Sequence, residues 1–421
     1  MTVTQTLGEI CDEGRGTVKT GPFGSQLHQS DYADNGIPVV MPKDFKNDKI
    51  STEGVARVGK DHVERLFKHK LSVGDIIYGR RGDIGRRALI TEREAGWLCG
   101  TGCLRITLGR SKLDPKYLYY YLGDPRTITW IYNQAIGATM PNLNTGILRS
   151  IEITYPPVDV QKRVAGILSA YDDLIENNTR CIKILEEMAQ AIYREWFVKF
   201  RFPGHEKIKM TDSPLGPIPE GWEITKLGEV ANVNELSIKS NNEPEQIEYI
   251  DIKSVGTGFI ESTTSYSFHE APGRARRIVR DGDTIWATVR PNRRSYSLIL
   301  DPVDNLIAST GFAVLTPKNI PFTYLYHCVT TNEFAEYLVN HATGAAYPAV
   351  NAKDFSNAVV LVPGKAMLGL FHDAVEPMYR QRHIMAKKNN TLRDTRDLLL
   401  PRLISGELSL ETVNDREAAL G

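Results

Sequence analysis

Two stretches of the chain carry mostly apolar residues at strict seven-residue spacing. Val164, Tyr171, Asn178, Leu185 and Ile192 form the first series, flanked by Leu168, Ile175 and Ile182. Phe371, Met378, Met385, Leu392 and Leu399 form the second, each 207 residues beyond its counterpart. Heptads sustained over four repeats predict long helices that pack helix against helix. Pro156-Pro157 marks the start of the first, because proline fits an opening turn; residues 158–194 would make a rod of ~55 Å at 1.5 Å per residue. In the second, Pro377 predicts a kink or a delayed start, and Pro401 an end or a bend. Elsewhere the period changes. Residues 75–78, 88–90 and 104–106, and their counterparts 284–286, 298–300 and 312–315, read as short strands between Gly, Pro and Asn turns. Short helices are expected around 117–122 and 324–329.

The spacing of the two helical series belongs to a wider duplication. Tyr117-Leu118-Tyr119 recurs as Tyr324-Leu325-Tyr326, and Gly137-Ala138, Pro141, Asn144 and Pro156 recur as Gly344-Ala345, Pro348, Asn351 and Pro363. Upstream the register drifts, as small insertions would make it: Gly74-Asp75 answers Gly282-Asp283, Thr101-Gly102 answers Thr310-Gly311, and LGEI at Leu7 answers LGEV at Leu227. A period this long is not a solenoid, whose repeats run about 20–50 residues. It predicts two α+β domains, at 1–156 and 226–363. A long helix over 157–200 would follow the first, and a helix with a polar tail over 364–421 the second. Residues 201–225, rich in proline and glycine, read as a connector.

Net charge is zero over 421 residues, but the charges are segregated. Residues 272–296 hold seven arginines against Asp281 and Asp283, and Arg80, Arg81, Arg86 and Arg87 cluster in the first repeat. The first helical stretch is acidic over 172–195 and the second is basic over 376–402. Opposite charge and a shared seam predict that the rods pair, antiparallel if the repeat is two-fold; the alternative is that each packs only on its own domain. Asn178 either fixes the register of such a pair or faces solvent. The five cysteines are odd in number and scattered, which fits reduced thiols better than a disulfide framework. No apolar run approaches the roughly 18–20 residues of a membrane span, and no secretory signal is expected from the opening residues.

No phosphate loop, metal-binding His-Glu helix or nucleophile elbow occurs, and Thr154-Tyr155-Pro156-Pro157-Val158 lacks both flanks of a DNA-adenine methyltransferase motif. No metal site is expected. Binding features are better supported. The loop GPFGSQL (21–27), after Lys19, offers Phe23, Ser25 and Gln26 to phosphates or base edges, although such a string also serves as a plain turn. Paired arginines flank a glycine turn in GRRGDIGRR (79–87), and TVRPNRRS (288–295) repeats an arginine-rich turn with Arg290, Asn292, Arg293 and Arg294. Arginine is the usual bidentate reader of guanine and a strong phosphate ligand. The recurrent loops GATMPNLNTG (137–146) and GAAYPAVNAK (344–353) keep Gly, Pro and Asn as frame residues, while Thr139, Asn142 and Tyr347 are free to vary. Lys43, Arg274 and Arg276 complete the candidates for DNA contact.

Taken in order around the duplication, these elements resemble the specificity subunit of a type I restriction–modification system. AIYREWFVKFRFPG (191–204), SPLGPIPEGWEITKLGEV (213–230) and RDLLLPRLISGEL (396–408) carry the resemblance, together with GPFGSQL. It implies an α+β fold with two similar target-recognition domains, separated by a pair of long antiparallel coiled-coil helices in a pseudo-two-fold repeat. It also implies a non-catalytic DNA reader that binds no cofactor of its own. Each domain would read one half of an asymmetric bipartite target, with half-site centres ~34 Å apart. The helices would set the spacer and dock two modification (methyltransferase) subunits carrying AdoMet; restriction subunits would add ATP and Mg. The setting would be a bacterial or archaeal cytoplasm. The family fixes no base-contacting residues, so the DNA candidates rest on chemistry alone. A non-catalytic scaffold that binds only protein through its paired helices is the alternative.

Overall fold

In the computed structural model, residues 2–23, 26–46, 49–80, 85–135, 142–239 and 242–408 are described. The chain divides into two compact units, one of Met1–Glu176 with Asn389–Gly421 and the other of Asn177–Lys388. Both long helices cross that division. The first runs Val158–Tyr193 and ends in a π-helical turn, Arg194–Val198; the second runs Lys365–Ile404. The second is one continuous helix, so Pro377 does not delay its start and Pro401 does not end it. A proline removes one N–H donor, and Phe371, Val375 and Tyr379, all buried beside the exposed Pro377, outweigh that loss. Past Pro401, its carbonyl still accepts from Ser405 N–H at 3.1 Å.

In the first unit an antiparallel sheet runs Thr17–Thr20, Cys103–Thr107, Ile76–Gly79, Arg87–Leu89. A second sheet joins Ile37–Val40 to Leu98–Cys99 in parallel and to Ala56–Val58 antiparallel. Val3–Thr6 pairs with Glu152–Tyr155, the strand that feeds the first long helix. The second unit repeats each connection. Ala231–Val233, Phe312–Pro317, Thr284–Ala287 and Tyr296–Leu298 follow in the same order. Gln246–Ile250 again lies parallel to Leu306–Ser309, and Glu223–Lys226 pairs with Val359–Val362. The strand expected at 298–300 lies two residues earlier, at Tyr296–Leu298, where it pairs with Thr284–Ala287.

The recurring letters prove to be joints. Asn144 caps the helix Thr145–Arg149, and Asn351 caps Ala352–Asn357, each side chain accepting from the first free backbone N–H groups. Gly8 and Gly228 let a short helix press on that capped helix: a Cβ would lie 3.1 Å from Arg149 O in one unit and 3.1 Å from Ser356 Cβ in the other. Gly74 and Gly282 turn at φ +86° and +85°, a region that favours glycine. The aspartates that follow them accept from Ser72 N–H and Arg280 N–H, and burial pushes both carboxyls above their usual range.

Each unit takes the end of one helix into its core. In the first, Leu400, Leu403 and Ile404 join Val164, Leu168, Tyr117 and Leu118. In the second, Tyr193, Trp196 and Phe197 surround Phe371, with Tyr324 and His327. Phe202 and Trp222 of the expected connector stack at 5.3 Å and belong to this same core. The proline-rich stretch is therefore packed structure in the second unit. Its composition marked the turns but not the anchoring aromatics.

His327 is buried in that aromatic cluster, 3.0 Å from the Tyr379 hydroxyl, and burial pushes its imidazole down to about 3. A folded-state value below the unfolded one gives stability that is complete above about pH 6.5 and lost as pH falls. The expected loss is about 1.4 kcal/mol per pH unit between roughly pH 6 and 4. Melting curves of wild type and His327→Gln across that range should converge as pH falls; parallel curves would remove His327 as the cause.

Candidate nucleic-acid interface

Within each unit, loops that leave one end of the antiparallel sheet are tied together by backbone hydrogen bonds. In the first unit Gly21 N–H donates to Cys103 O (2.9 Å), and Thr101 Oγ1 donates to Pro22 O (3.0 Å). A Cβ on Gly21 would sit 1.9 Å from Gly100 O, so the loop must begin with glycine. Arg80 N–H donates to Gly102 O, and Leu143 N–H returns to Arg80 O, both at 2.9 Å. Phe23, Gln26, Arg80 and Asn142 thus share one neighbourhood. Phe23 is exposed, its own N–H bonded to Gln26 Oε1 at 3.1 Å. Arg80 Nε donates to Asn142 Oδ1 and Leu143 O. Lys19 is exposed on the strand leading into this loop, Arg86 is exposed beyond it, and the exposed Lys43 reaches Gly54 O at 3.3 Å. Ser25, Arg81 and Thr139 lie outside the described residues.

The second unit builds the same ring from different letters. Thr288 N–H donates to Gly311 O (2.8 Å), Val350 N–H to Thr288 O (2.9 Å), and Arg290 N–H to Pro348 O (2.7 Å). Thr310 N–H donates to Arg274 O at 2.7 Å, which brings the exposed Arg274 beside the ring. Asn292 and Arg293 are exposed on the turn Pro291–Arg293. Tyr347 is 68% exposed, and the Arg290 guanidinium lies over its ring at 4.7 Å.

Three of the candidate arginines are held inside their own domains. Arg87 is buried, donating from Nε to Tyr119 O at 2.8 Å and lying 4.8 Å over the Tyr119 ring. It occupies the place that Tyr296 fills in the other sheet, as the pairings Tyr78↔Arg87 and Trp286↔Tyr296 show. A Cβ on Gly123 would collide with its guanidinium at 1.7 Å. Arg294 donates to Asn332 Oδ1 (2.5 Å) and Thr330 O (2.9 Å), holding the turn onto the helix Asn332–His341. Arg276 lies 4.8 Å over the Phe268 ring and donates to Ala275 O. Sequence spacing put these side chains with their neighbours; only the strand pleat and local packing separate those that turn inward. The helices Pro125–Gln134 and Asn332–His341 were not anticipated, although Asp124-Pro125 and Thr331 are ordinary capping signals.

The acidic and basic rods do pair, and antiparallel. In the first unit Arg396 meets Asp172 at 2.5 Å, and Asn389 Nδ2 donates to Ile175 O at 3.4 Å. In the second, Arg382 meets Glu186 at 2.7 Å; burial raises the Glu186 carboxyl while Arg382 opposes the shift. Val164 and Phe371 are buried; Tyr171, Asn178, Leu185, Ile192, Met378, Met385, Leu392 and Leu399 are half-buried. Deeply buried positions also lie off the seven-residue series: Ala165 and Leu168 beside Val164, and Val375 and Tyr379 beside Phe371. These recur every three or four residues, as on a helix packed against a domain. Both packing modes occur, domain contact toward the ends and helix contact between.

Residues 3–187 match the family model of the type I restriction modification DNA specificity domain. Across 90% of its length the chain is 25% identical to the type I restriction enzyme MjaIX specificity subunit of Methanocaldococcus jannaschii, covering 89% of that protein. It is 21% identical to the HindI specificity subunit of Haemophilus influenzae, over 81% of this chain and 88% of that one. The crystal structure of a type I restriction–modification S subunit from M. genitalium shares the fold, with a TM-score of 0.60 at 18% identity over 96% of both chains. Residues 3–187 thus carry a type I DNA specificity domain, and most of the chain is similar to type I specificity subunits.

Type I specificity subunits recognise DNA, are non-catalytic and, as subunits, act with other restriction–modification subunits. Among the described residues, no group of three or more His, Cys, Asp or Glu is placed to hold a metal ion. No described helix is long and apolar enough to cross a membrane.

Proposed function

We propose that the two loop rings are the DNA-reading surfaces, each taking one half of an asymmetric bipartite duplex. One observation carries this reading: the same ring, joined by equivalent hydrogen bonds, is edged by Phe23, Arg80 and Asn142 in one unit and by Arg290, Arg293 and Tyr347 in the other. A shared frame with different edge chemistry suits two different words. Bidentate base contacts would specify those words, and the remaining lysines and arginines would position the duplex through phosphates. The paired helices would set the spacer and dock two modification subunits, which carry AdoMet, in a bacterial or archaeal cytoplasm; restriction subunits would bring ATP and Mg. Lys19, Gln26, Lys43, Arg86, Arg274 and Asn292 stand as supporting contacts. Arg87, Arg276 and Arg294 are each assigned to packing within their own domain.

Methylome sequencing of cells with and without the gene tests this reading. The expected result is one bipartite, non-palindromic methylated motif that disappears with the chain. A subunit that binds its modification partner normally and yet confers no sequence preference on any duplex pool would defeat it.

A further inference from the structure

We propose that Arg290, backed by Tyr347, reads a guanine in the half-site of the second domain, and that its neighbours Arg293 and Arg294 do not. The proposal rests on the reading that this loop ring meets DNA. Its basis is how differently three arginines on one turn are held. Arg294 spends its guanidinium on Asn332 and Thr330. Arg293 is exposed, and among the described residues no aromatic ring lies behind it. Arg290 alone is stacked, 4.7 Å over Tyr347, and among the described residues its guanidinium N–H groups have no protein acceptor.

The backbone fixes this arrangement from both sides. Arg290 sits at φ 53°, ψ 61°, a left-handed conformation that non-glycine side chains adopt only when their surroundings impose it. Its N–H is held by Pro348 O, and Val289 bridges to Ala349. The Tyr347 loop is closed at its base by reciprocal bonds between Thr343 and Ala349, both at 2.9 Å. Inside the closure Gly344 turns at φ +102°, where a Cβ would press on Tyr347 O at 3.1 Å. Two loops from distant parts of the sequence thus set one guanidinium plane against one ring.

Stacking of this kind leaves only the edge of the guanidinium for hydrogen bonds. Two parallel N–H groups on that edge match the O6 and N7 acceptors that guanine shows in the major groove. A phosphate ligand needs no fixed plane, so the ring behind Arg290 is informative. In the first unit Arg80, whose carbonyl takes the place of the Thr288 carbonyl, gives its Nε to Asn142 and Leu143. The inference therefore concerns one half-site only.

The test uses the full chain assembled with its modification subunits, selecting from duplex pools in which each half-site is randomised in turn. For wild type, one position of one half-site should be guanine. Arg290→Ala should cut discrimination at that base pair by roughly 10- to 100-fold and leave every other position unchanged. Arg290→Lys should fail to restore it, because an ammonium lacks the planar fork. Tyr347→Phe, which keeps the ring, should select like wild type, and Tyr347→Ala should relax the same single position. Arg293→Ala should weaken all sequences alike and lower the salt dependence. Unchanged preference at the first half-site, with an unchanged melting curve, shows that each variant is folded. If Arg290→Ala weakened all sequences uniformly, or changed no position, the proposal would be overturned while the two-reader function stood. Absence of any preference in wild type would overturn both.

Discussion

Phe371→Ala is expected to destabilise the second unit by ~3–5 kcal/mol, the range for removing a fully buried phenylalanine ring. Phe371 is completely buried and lies within 4.9–6.4 Å of the rings of Tyr193, Trp196, Phe197, Tyr324 and His327. These partners come from the end of the first helix and from the short helix Phe322–Val329. Truncation would open a cavity where three segments meet, with little flexible material nearby to fill it. Leu398→Ala, on the same helix but 72% exposed, should stay within about 0.5 kcal/mol. Denaturant titration of the two variants checks the difference. The functional consequence should be one-sided: near the melting range of the variant, selection from duplex pools should lose the half-site read by the second domain before the other. Loss of both at one temperature would show that the two units unfold as one.

Much of this architecture was legible in the letters, for identifiable reasons. A duplication exposes frame residues, since the same joint must be built twice. Asn144 and Asn351 as caps, Gly8 and Gly228 as close contacts, and Gly74 and Gly282 as turns all recur because backbone geometry admits few alternatives. The opposite charges of the rods foretold the Asp172–Arg396 and Glu186–Arg382 pairs. What could not be read was direction at a single position. Arg86 and Arg87 are adjacent in a strand-forming stretch, and strand pleating sends neighbours to opposite faces, so one is exposed and the other buried on Tyr119. Likewise Arg290, Arg293 and Arg294 differ only through a turn whose two left-handed residues, Arg290 and Arg294, carry no glycine to announce them. The heptad seam was a partial guide: its period suited helix pairing, whereas the buried anchors Phe371, Val375 and Tyr379 follow domain packing.

Removing one turn from each long helix is expected to change the preferred spacer and leave both half-site words intact. Fourteen residues separate Asp172 from Glu186, and fourteen separate Arg382 from Arg396, so the acids and their bases are equally spaced along the two rods. A cut in one rod alone would spoil that match and leave a half-buried charge without its partner at one end, which costs stability. Deleting 177–180 together with 388–391 keeps both spacings equal, at ten residues. Each rod then shortens by ~6 Å and turns by ~40°. Two base pairs of B-DNA span about 7 Å and turn by about 70°. The mismatch of roughly 30° is within what local overwinding of a coiled coil absorbs at such a deletion. The deletion should therefore favour a spacer shorter by about two base pairs, read by selection from pools of fixed half-sites and variable gap. An unchanged gap, in a variant that still binds its modification subunits, would mean that something other than the helix pair measures the distance.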